Sequence, residues 1–327
     1  AAVGRWTMRT SRRLFQAFVL ALAAFALSST AVLAQDSDDG EWKAPHKNGH
    51  TFSPVGGLPD AFVRSYVRNN LGMSQTYDID IPLGIVGEDT LFASRGNLLF
   101  ANLGLEYQQT IKDWIAFRAK FIVNGRMGSG TSALLATGIS ATTGFELGWL
   151  MRLLETDRGY MSLSFDVRNN SFTTINLAEF VEDIDDGEDA ELVKKTPSMR
   201  AGVGLRYTHA FSPLVGLISY FETGYGESVD RVSDDEWFTE FGATVDFDLA
   251  GVGWVPIGLA VGYQQDSFPE GGADITDVVR GVVFRIGYTG RKDLALGLNI
   301  LYSTFPSDKL DERIKSTGMN LDLRYYF

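Results

Sequence analysis

The chain has 327 residues, no cysteine and a formal net charge of −12, with a sequence pI near 4.8. The absence of cysteine excludes a disulfide framework, a thiolate metal site and a cysteine nucleophile. The acidic balance argues against a nucleic-acid partner, because no basic stripe is available to neutralise phosphates. With 45% hydrophobic residues, 12% aromatic residues and 35 glycines, the composition is typical of many short strands with small residues at crowded positions.

Residues 1–34 predict a secretory signal peptide. Three arginines between positions 9 and 13 precede the apolar run Phe15–Leu27, and the small residues that follow predict cleavage after Ala34. Met8 suits a start better than the first residue, which would place residues 1–7 upstream of the true start. A membrane-anchoring helix is the alternative, but the apolar run is short for a span of about 20 residues.

Residues 59–71 predict a short helix. Pro59 and Asp60 suit a helix start and Gly72 suits a stop. The helix belongs to a segment, residues 35–73, that precedes the first predicted strand. Its apolar residues recur on one face at helical spacing, and they are Phe62, Val63, Tyr66, Val67 and Leu71.

From residue 74 onward the chain predicts an all-β fold. Apolar and polar residues alternate, so each strand has one apolar face and one polar face. About twelve strands result, and they are Thr76–Leu83, Leu99–Gln108, Ile115–Asn124, Gly144–Leu153, Met161–Arg168, Met199–Thr208, Val215–Tyr225, Trp237–Leu249, Val255–Gln265, Val278–Thr289, Leu294–Ser303 and Gly318–Phe327.

Short and long connections alternate along these strands. The longest lies between Ser171 and Thr196, and the shortest is the pair Lys112-Asp113. This alternation predicts antiparallel strands in up-and-down order, with every long connection at one end and both chain ends at the other.

The last strand is similar to that of a known class of proteins. Met319, Leu321, Leu323 and Tyr325 alternate with polar residues, and the strand closes on Phe327. It resembles the last strand of Gram-negative bacterial outer-membrane β-barrel proteins, a general porin-like class, in which the terminal aromatic residue is an assembly signal.

The resemblance implies an antiparallel, up-and-down transmembrane β-barrel of about 12 strands over residues 74–327, located in the bacterial outer membrane. It also implies three partners: outer-membrane lipid, lipopolysaccharide and the barrel-assembly machinery. The main alternative is a soluble β-sandwich, which alternates in the same way. Large apolar residues on nearly every strand, and Trp and Tyr toward strand ends, favour the barrel.

If the apolar face meets lipid, the polar face lines the lumen. Basic residues concentrate on strands between 118 and 206 and acidic residues on strands between 222 and 248, which predicts a field across the lumen and a passive channel for small polar or charged solutes. Alternatively, opposite signs pair across neighbouring strands and leave little channel. The predicted pore-lining residues are Arg118, Lys120, Arg126, Glu146, Arg152, Asp166, Arg168, Arg200, Arg206, Glu222, Glu240, Asp246 and Arg324.

Two further functions remain open, and a third is not expected. A structural or adhesive barrel would have a closed lumen. A channel for hydrophobic compounds, plugged by the helix over residues 59–71, would resemble fatty-acid and aromatic-hydrocarbon channels. The alternative to a plug is that the segment over residues 35–73 is periplasmic, with its helix against the barrel rim. An enzyme is not expected, because His46 and His50 fall in a polar tail, His209 lies beside a turn, and none is near a candidate serine nucleophile.

The sequence points to no cofactor and no metal ion. The acidic segment over residues 179–191 has the hard oxygen ligands that calcium prefers, but its spacing does not fit an EF-hand loop, and acidic loops are more often solvated.

Overall fold

The computed structural model describes residues 43–77, 79–86, 89–96, 98–128, 139–175, 193–227, 235–250, 255–267, 278–305 and 313–327. The predicted signal peptide and the acidic segment over residues 179–191 lie outside these ranges. Within them, no helix is long and apolar enough to cross a membrane.

The regular structure of the described residues consists of strands. In chain order they are β1 (His46–Lys47), β2 (His50–Thr51), β3 (Tyr66–Thr76), β4 (Ile79–Val86), β5 (Asp89–Gly96), β6 (Leu98–Lys112), β7 (Ile115–Gly128), β8 (Ile139–Glu155), β9 (Gly159–Ile175), β10 (Val193–Ala210), β11 (Val215–Glu227), β12 (Asp235–Asp248), β13 (Ile257–Ser267), β14 (Val278–Tyr288), β15 (Leu294–Phe305) and β16 (Ile314–Tyr326).

Twelve of these strands, β3 and β6 to β16, form a closed barrel. Neighbours in the barrel are consecutive in sequence and antiparallel, and β16 pairs with β3 to close the ring. The prediction of an antiparallel up-and-down barrel of about 12 strands is confirmed. The other strands form two hairpins, β1 with β2 before the barrel and β4 with β5 between β3 and β6.

The predicted helix over residues 59–71 is wrong. Residues 59–65 have no regular structure, and β3 begins at Tyr66. Tyr66 pairs with Tyr326 of β16 and with Gln108 of β6, so this segment supplies the strand that closes the barrel. Its residues satisfy strand alternation as well as helical spacing, and pairing with two neighbouring strands decides between the two patterns.

The first predicted barrel strand, Thr76–Leu83, is also wrong, because β3 takes its place in the barrel. Only Thr76 belongs to β3, and residues 79–83 belong to the hairpin of β4 and β5. The barrel therefore begins at Tyr66 rather than at residue 74. Each of the other eleven predicted strands overlaps one barrel strand, with its ends shifted by a few residues.

The connections alternate in length as predicted. At the end of the barrel where Tyr66 pairs with Tyr326, the strands are joined by short links, such as Asp113-Trp114 between β6 and β7. At the opposite end most links are longer, such as residues 176–192 between β9 and β10, and the exception is the pair of links 249–256 and 228–234, which are of nearly equal length. Both the start of β3 and the end of β16 thus lie at the short-link end.

The barrel wall has an apolar outer face and a polar inner face. On β14, Phe284 and Ile286 are 51% and 57% exposed, whereas Arg285 between them is 2% exposed. On the outer face at the end of β16, the ring of Phe327 stacks on Tyr107 with 6.2 Å between centroids. An apolar band around a closed barrel is the architecture of transmembrane β-barrels, since closure leaves no unpaired strand edge in lipid.

Candidate functional site

The chain immediately before β3 lies inside the barrel. This luminal segment, defined as His50–Arg64, makes hydrogen bonds or ion pairs to inward side chains of β6, β9, β10, β12, β15 and β16. One stretch of chain can contact strands around the whole ring only from within it. Consistent with this position, Phe52, Val55 and Phe62 are at most 2% exposed.

Two carboxylates of β12 bind the start of the luminal segment. Asp246 accepts hydrogen bonds from His50 Nε2 at 3.1 Å and from the backbone N–H of Ser53 at 2.9 Å. Asp248 accepts one from the backbone N–H of Thr51 at 3.0 Å. The luminal segment has little regular structure of its own, so these carboxylates satisfy backbone donors that burial would otherwise leave unpaired.

His50 is fully buried, and both of its ring nitrogens face acceptors. Nδ1 lies 3.2 Å from the carbonyl oxygen of Pro213, opposite the contact of Nε2 with Asp246. Only the protonated ring can donate at both positions. Burial by itself lowers the pKa of His50, but the hydrogen bond to Asp246 and its negative charge outweigh burial, and the pKa is raised. The expectation that His50 lies in a polar tail is wrong.

Arginines and one glutamine bind the end of the luminal segment. The carboxylate of Asp60 forms an ion pair with Arg324 of β16, and the backbone carbonyl of Asp60 lies 3.4 Å from Arg206 Nη1 of β10. Gln108 of β6 donates a hydrogen bond to the carbonyl of Phe62 at 2.9 Å. The segment is therefore held at both ends by side chains of the wall.

Apolar packing fills the space between these polar contacts. Phe62 lies between Phe52 and Tyr160, with ring centroids 5.5 Å and 4.9 Å away. Full burial of a side chain of this size contributes about 1.5–3 kcal/mol. A second cluster consists of Val55 and Leu58 of the segment with Tyr220, Ala260 and Val283 of the wall.

Charged side chains on five adjacent strands form a row across the inner wall. In this charged row, Arg68, Glu106, Lys120, Glu146 and Arg168 lie opposite one another in turn, from β3 to β9, and their signs alternate. Arg68 Nη1 is 3.2 Å from Glu106 Oε2, and Arg168 Nε is 3.4 Å from Glu146 Oε2. Opposite charges at directly opposed positions stabilise strand pairing.

More ion pairs extend the charged row on both sides. Arg118 binds Glu146 and Asp166, with 2.6 Å between Arg118 Nη2 and Asp166 Oδ1, and Arg206 reaches the other oxygen of Asp166 at 3.3 Å. Asp166 is 1% exposed, so its charge is compensated by two arginines rather than by water.

Asp322 of β16 is another carboxylate shared by two arginines. Arg68 binds both of its oxygens, at 2.8 Å and 3.2 Å, and Arg285 of β14 binds one of them at 3.0 Å. Two parallel hydrogen bonds from one guanidinium are the strongest form of this contact.

Arg168 also links the charged row to β11 and β12. Glu222 and Glu240 lie directly opposite each other on these strands, a repulsive arrangement for like charges. Arg168 forms ion pairs with both, at 2.8 Å to Glu240 Oε1.

The charge arrangement differs from the predicted field across the lumen. Arg118, Lys120 and Arg206 pair with Glu146 or Asp166, which lie among the basic residues, and Arg168 reaches the acidic strands. Opposite signs pair with one another, as the alternative reading has it, but they do so both between neighbouring strands, as in Arg168–Glu146, and between more distant strands, as in Arg118–Asp166. The sequence pattern could not separate the two because it does not show which strands a long arginine side chain can reach.

A cavity of about 340 Å³ remains between the luminal segment and the wall. Residues 56–60 of the segment border it on one side and the charged row on another. The predicted pore-lining residues that it brings together are Arg118, Lys120, Glu146, Arg168, Arg206, Glu222, Glu240 and Arg324.

The remaining predicted pore-lining residues do not border this cavity. Asp166 is enclosed by its arginines, and Asp246 binds the luminal segment. Arg152 lies near the short-link end, where it pairs with a glutamate three residues on. Arg200 packs its guanidinium over the ring of Phe238, and the side chain of Arg126 lies outside the described side chains.

Several residues of the site were missed by the sequence analysis. Asp60 and Arg68 were assigned to the incorrect helix, and the cavity also has uncharged amides in its wall, such as Asn70 and Asn102. The available signal was the alternation of Arg68, Asn70 and Gly72 with apolar residues, which is the same pattern that identified the other strands.

Comparisons with known proteins give similarities of structure only. No family model and no curated protein matches the chain. Among solved structures, the chain is similar to the toluene transporter TodX of Pseudomonas putida (8% identity, 88% of this chain and 99% of that chain, TM-score 0.46). It is also similar to a FadL homologue of Pseudomonas aeruginosa (12% identity, 88% and 97%, TM-score 0.44) and to the KdgM porin (6% identity, 80% and 99%, TM-score 0.41). Similarities this low carry no information about the function of this chain.

Proposed function

We propose that the protein is a bacterial outer-membrane channel for small polar solutes, and that the luminal segment obstructs the channel until it is displaced. The observation that carries this proposal is a closed barrel with an apolar outer face and, inside it, a polar cavity bordered by a separate stretch of chain. Transport rather than catalysis is the proposed activity.

The outer membrane is the proposed location because the barrel has the required faces and connectivity. Even strand number and short links at the end where the chain enters and leaves fit a periplasmic position for that end. The predicted signal peptide of residues 1–34 would direct export, and Phe327 would serve as the assembly signal. Outer-membrane lipid and lipopolysaccharide would then surround the apolar face.

The lining of the cavity favours polar solutes over hydrocarbons. Arg168, Lys120 and Glu240 reach the cavity with side chains that are 22%, 31% and 18% exposed. A hydrocarbon would displace water from such groups without replacing its hydrogen bonds, which is costly. A polar solute can replace them.

The luminal segment can be displaced from the lumen without breaking hydrogen bonds between barrel strands. Among the described residues, no backbone–backbone hydrogen bond joins His50–Arg64 to a barrel strand. Its contacts to the wall use side chains such as Asp246, Gln108 and Arg324. Displacement therefore leaves the inter-strand hydrogen bonds intact. This is expected of a segment that obstructs the lumen, but not of one on which the barrel wall depends.

Conductance in planar bilayers tests the proposal. The mature protein, residues 35–327, is compared with the double variant Asp60→Asn/Phe62→Ala, which removes the ion pair to Arg324 and the central aromatic contact. We expect brief, infrequent current steps from the unchanged protein and an open time at least several-fold longer from the variant.

The control is Phe211→Ala, which removes an equally large ring from an exposed turn and should leave the current unchanged. Heat-modifiable gel mobility shows that each barrel is folded. Folded protein that gives no current, with and without the double substitution, would contradict the proposal and favour a closed structural barrel.

A further inference from the structure

Six amide side chains border the cavity, and none has a hydrogen-bond partner among the described residues. Five of them come from neighbouring strands between β16 and β9, and the sixth comes from β13 on another part of the ring. Every one of these side chains has two donor hydrogens and an acceptor oxygen. This amide group consists of Asn70, Asn102, Asn124, Asn170, Gln264 and Asn320.

The strand register places five of the amides in the two sets of inward positions that follow the charged row. Asn70 and Asn170 belong to the next set of inward positions, separated by Gly104, Ile122 and Gly144. The following set contains Asn320, Gly72, Asn102 and Asn124, with Asn102 and Asn124 directly opposed. On β3 and on β6 to β9 these two sets contain no charged side chain, whereas on β16 Asp322 lies opposite Asn70 and Asn320 follows it.

Two glycines make room for the amides on the wall. A Cβ atom at Gly72 would overlap the side-chain oxygen of Asn320, and one at Gly144 would overlap that of Asn170. Each asparagine therefore lies against the backbone of the neighbouring strand, in space that only glycine leaves open.

The charges near the amide group are already neutralised. Each of the cationic side chains that line the cavity makes an ion pair with a carboxylate, and they are Arg68, Arg118, Lys120, Arg168, Arg206 and Arg324. A charged solute would have to break such a pair to find a counter-charge, whereas an uncharged solute would not. The uncharged amides therefore supply hydrogen-bonding capacity that no ion pair already uses.

We infer that the amide group binds an uncharged, polyhydroxylated solute of the size of a mono- or disaccharide. A hydroxyl group both donates and accepts, as an amide does, so a ring of amides can satisfy several hydroxyls at once. The cavity volume of about 340 Å³ is at the small end of ligand pockets, which span about 300–1,000 Å³. The inference rests on the proposed channel function and specifies its substrate class.

Binding of sugars to the refolded mature protein tests the inference without requiring current. Glucose and sucrose are titrated into protein in detergent micelles, followed by saturation-transfer NMR, and gluconate and glucosamine serve as charged probes. We expect the uncharged sugars to bind and the charged probes to bind at least several-fold more weakly. The double variant Asn70→Ala/Asn170→Ala should weaken sugar binding about tenfold, which corresponds to about 1.4 kcal/mol.

The chain provides a matched control on the same two strands. Asn69 and Asn169 precede the two amides by one position and face outward, paired with Leu105 and Phe145. Asn69→Ala/Asn169→Ala should leave sugar affinity within about twofold. Equal losses from the inward and outward variants, or equal binding of charged and uncharged probes, would overturn the inference.

Sugar binding and conductance separate this inference from the proposed function. A folded protein that conducts but binds no sugar retains the channel and loses the sugar site. A folded protein that binds sugar at the amides but never conducts retains the site and loses the channel.

Discussion

The interior of the barrel has two regions that use the same wall in different ways. Where the luminal segment lies, wall groups such as Asp246 and Gln108 are bound to that segment. Around the cavity, amides such as Asn102 and Asn124 make no hydrogen bond within the described residues. Both regions consist of polar residues at the inward positions of strands in which apolar and polar residues alternate. What distinguishes them is whether another part of the chain occupies the space in front of the wall.

A polar inner face therefore does not by itself imply an open pore. The inward arginines and carboxylates satisfy one another, and the luminal segment satisfies much of the rest. Only the residual unsatisfied polar groups are available to a solute. Substitutions in the first region should therefore change stability, whereas those in the second should change binding.

The largest loss of stability is expected from Asp322→Asn. Asp322 is fully buried and neutralises Arg68 and Arg285, so the change leaves buried positive charge without its partner. Breaking a buried pair in this way costs about 3–5 kcal/mol. Urea unfolding in lipid vesicles measures the free energy of unfolding, and Asp113→Asn in an exposed turn is the control. A loss below about 1 kcal/mol would show that the ion pairs are not tightly coupled.

A loss of about 2–5 kcal/mol is expected from Leu58→Ala, which leaves a void in the cluster formed with Tyr220 and Val283. Because the cluster joins the luminal segment to the wall, the loss should appear first as local release of the segment. Limited proteolysis of folded protein should then cut the segment faster. Leu154→Ala, at an exposed position on the outer face, is the control, and equal cleavage rates for both variants would contradict the packing.

A pH dependence of stability is expected at His50. Its pKa is raised in the folded protein, so its stabilising contribution is complete below its unfolded pKa of about 6.5 and is lost as the pH rises through the folded value. The loss of unfolding free energy caused by His50→Gln should therefore be larger at pH 5 than at pH 9.

His46→Gln is a control of opposite sign. Burial lowers the pKa of His46 despite the attraction of Asp248, so protonation of His46 penalises the folded state only as the pH falls below about 6.5. The variant should gain stability relative to the unchanged protein at pH 5. The same pH trend for both histidine variants would contradict the assigned contacts.

The smallest effect is expected from Glu155→Gln. Glu155 pairs with Lys47 of the β1–β2 hairpin and with Arg152, but its side chain is 33% exposed. Partly exposed ion pairs contribute about 0–1 kcal/mol. A loss of more than about 2 kcal/mol in urea unfolding would mean that the hairpin is held mainly at this point, rather than by Asp246 and Asp248.

The barrel could be predicted from sequence because its signal is local. In β7 and β14, for example, each side chain's face follows from its position alone, and the connection lengths fix the order of the strands. The strand Tyr66–Thr76 was not predicted, because part of its sequence fits both helical and strand periodicity. Only its pairing with β6 and β16 decides between the two.

The inner site was less predictable because it depends on contacts distant in sequence. The pair Asp60–Arg324 is separated by 264 residues and His50–Asp246 by 196. No spacing of residues in the sequence predicts either pair. The amide group is similarly dispersed, since its members lie on six different strands and are brought together by the closure of the barrel.

Covalent locking of the luminal segment tests the proposed obstruction most directly. An ideal Cβ at Gly258 lies 3.6 Å from the Cβ of Ser53, within the separation of about 3.5–4.5 Å found in disulfides. The chain has no cysteine of its own, so the double variant Ser53→Cys/Gly258→Cys would contain a single possible disulfide. If the channel opens by displacement of the luminal segment, the disulfide should keep it closed. We therefore expect no current from the oxidised protein and current steps in the same bilayer after a reductant is added. Identical current before and after reduction would contradict it.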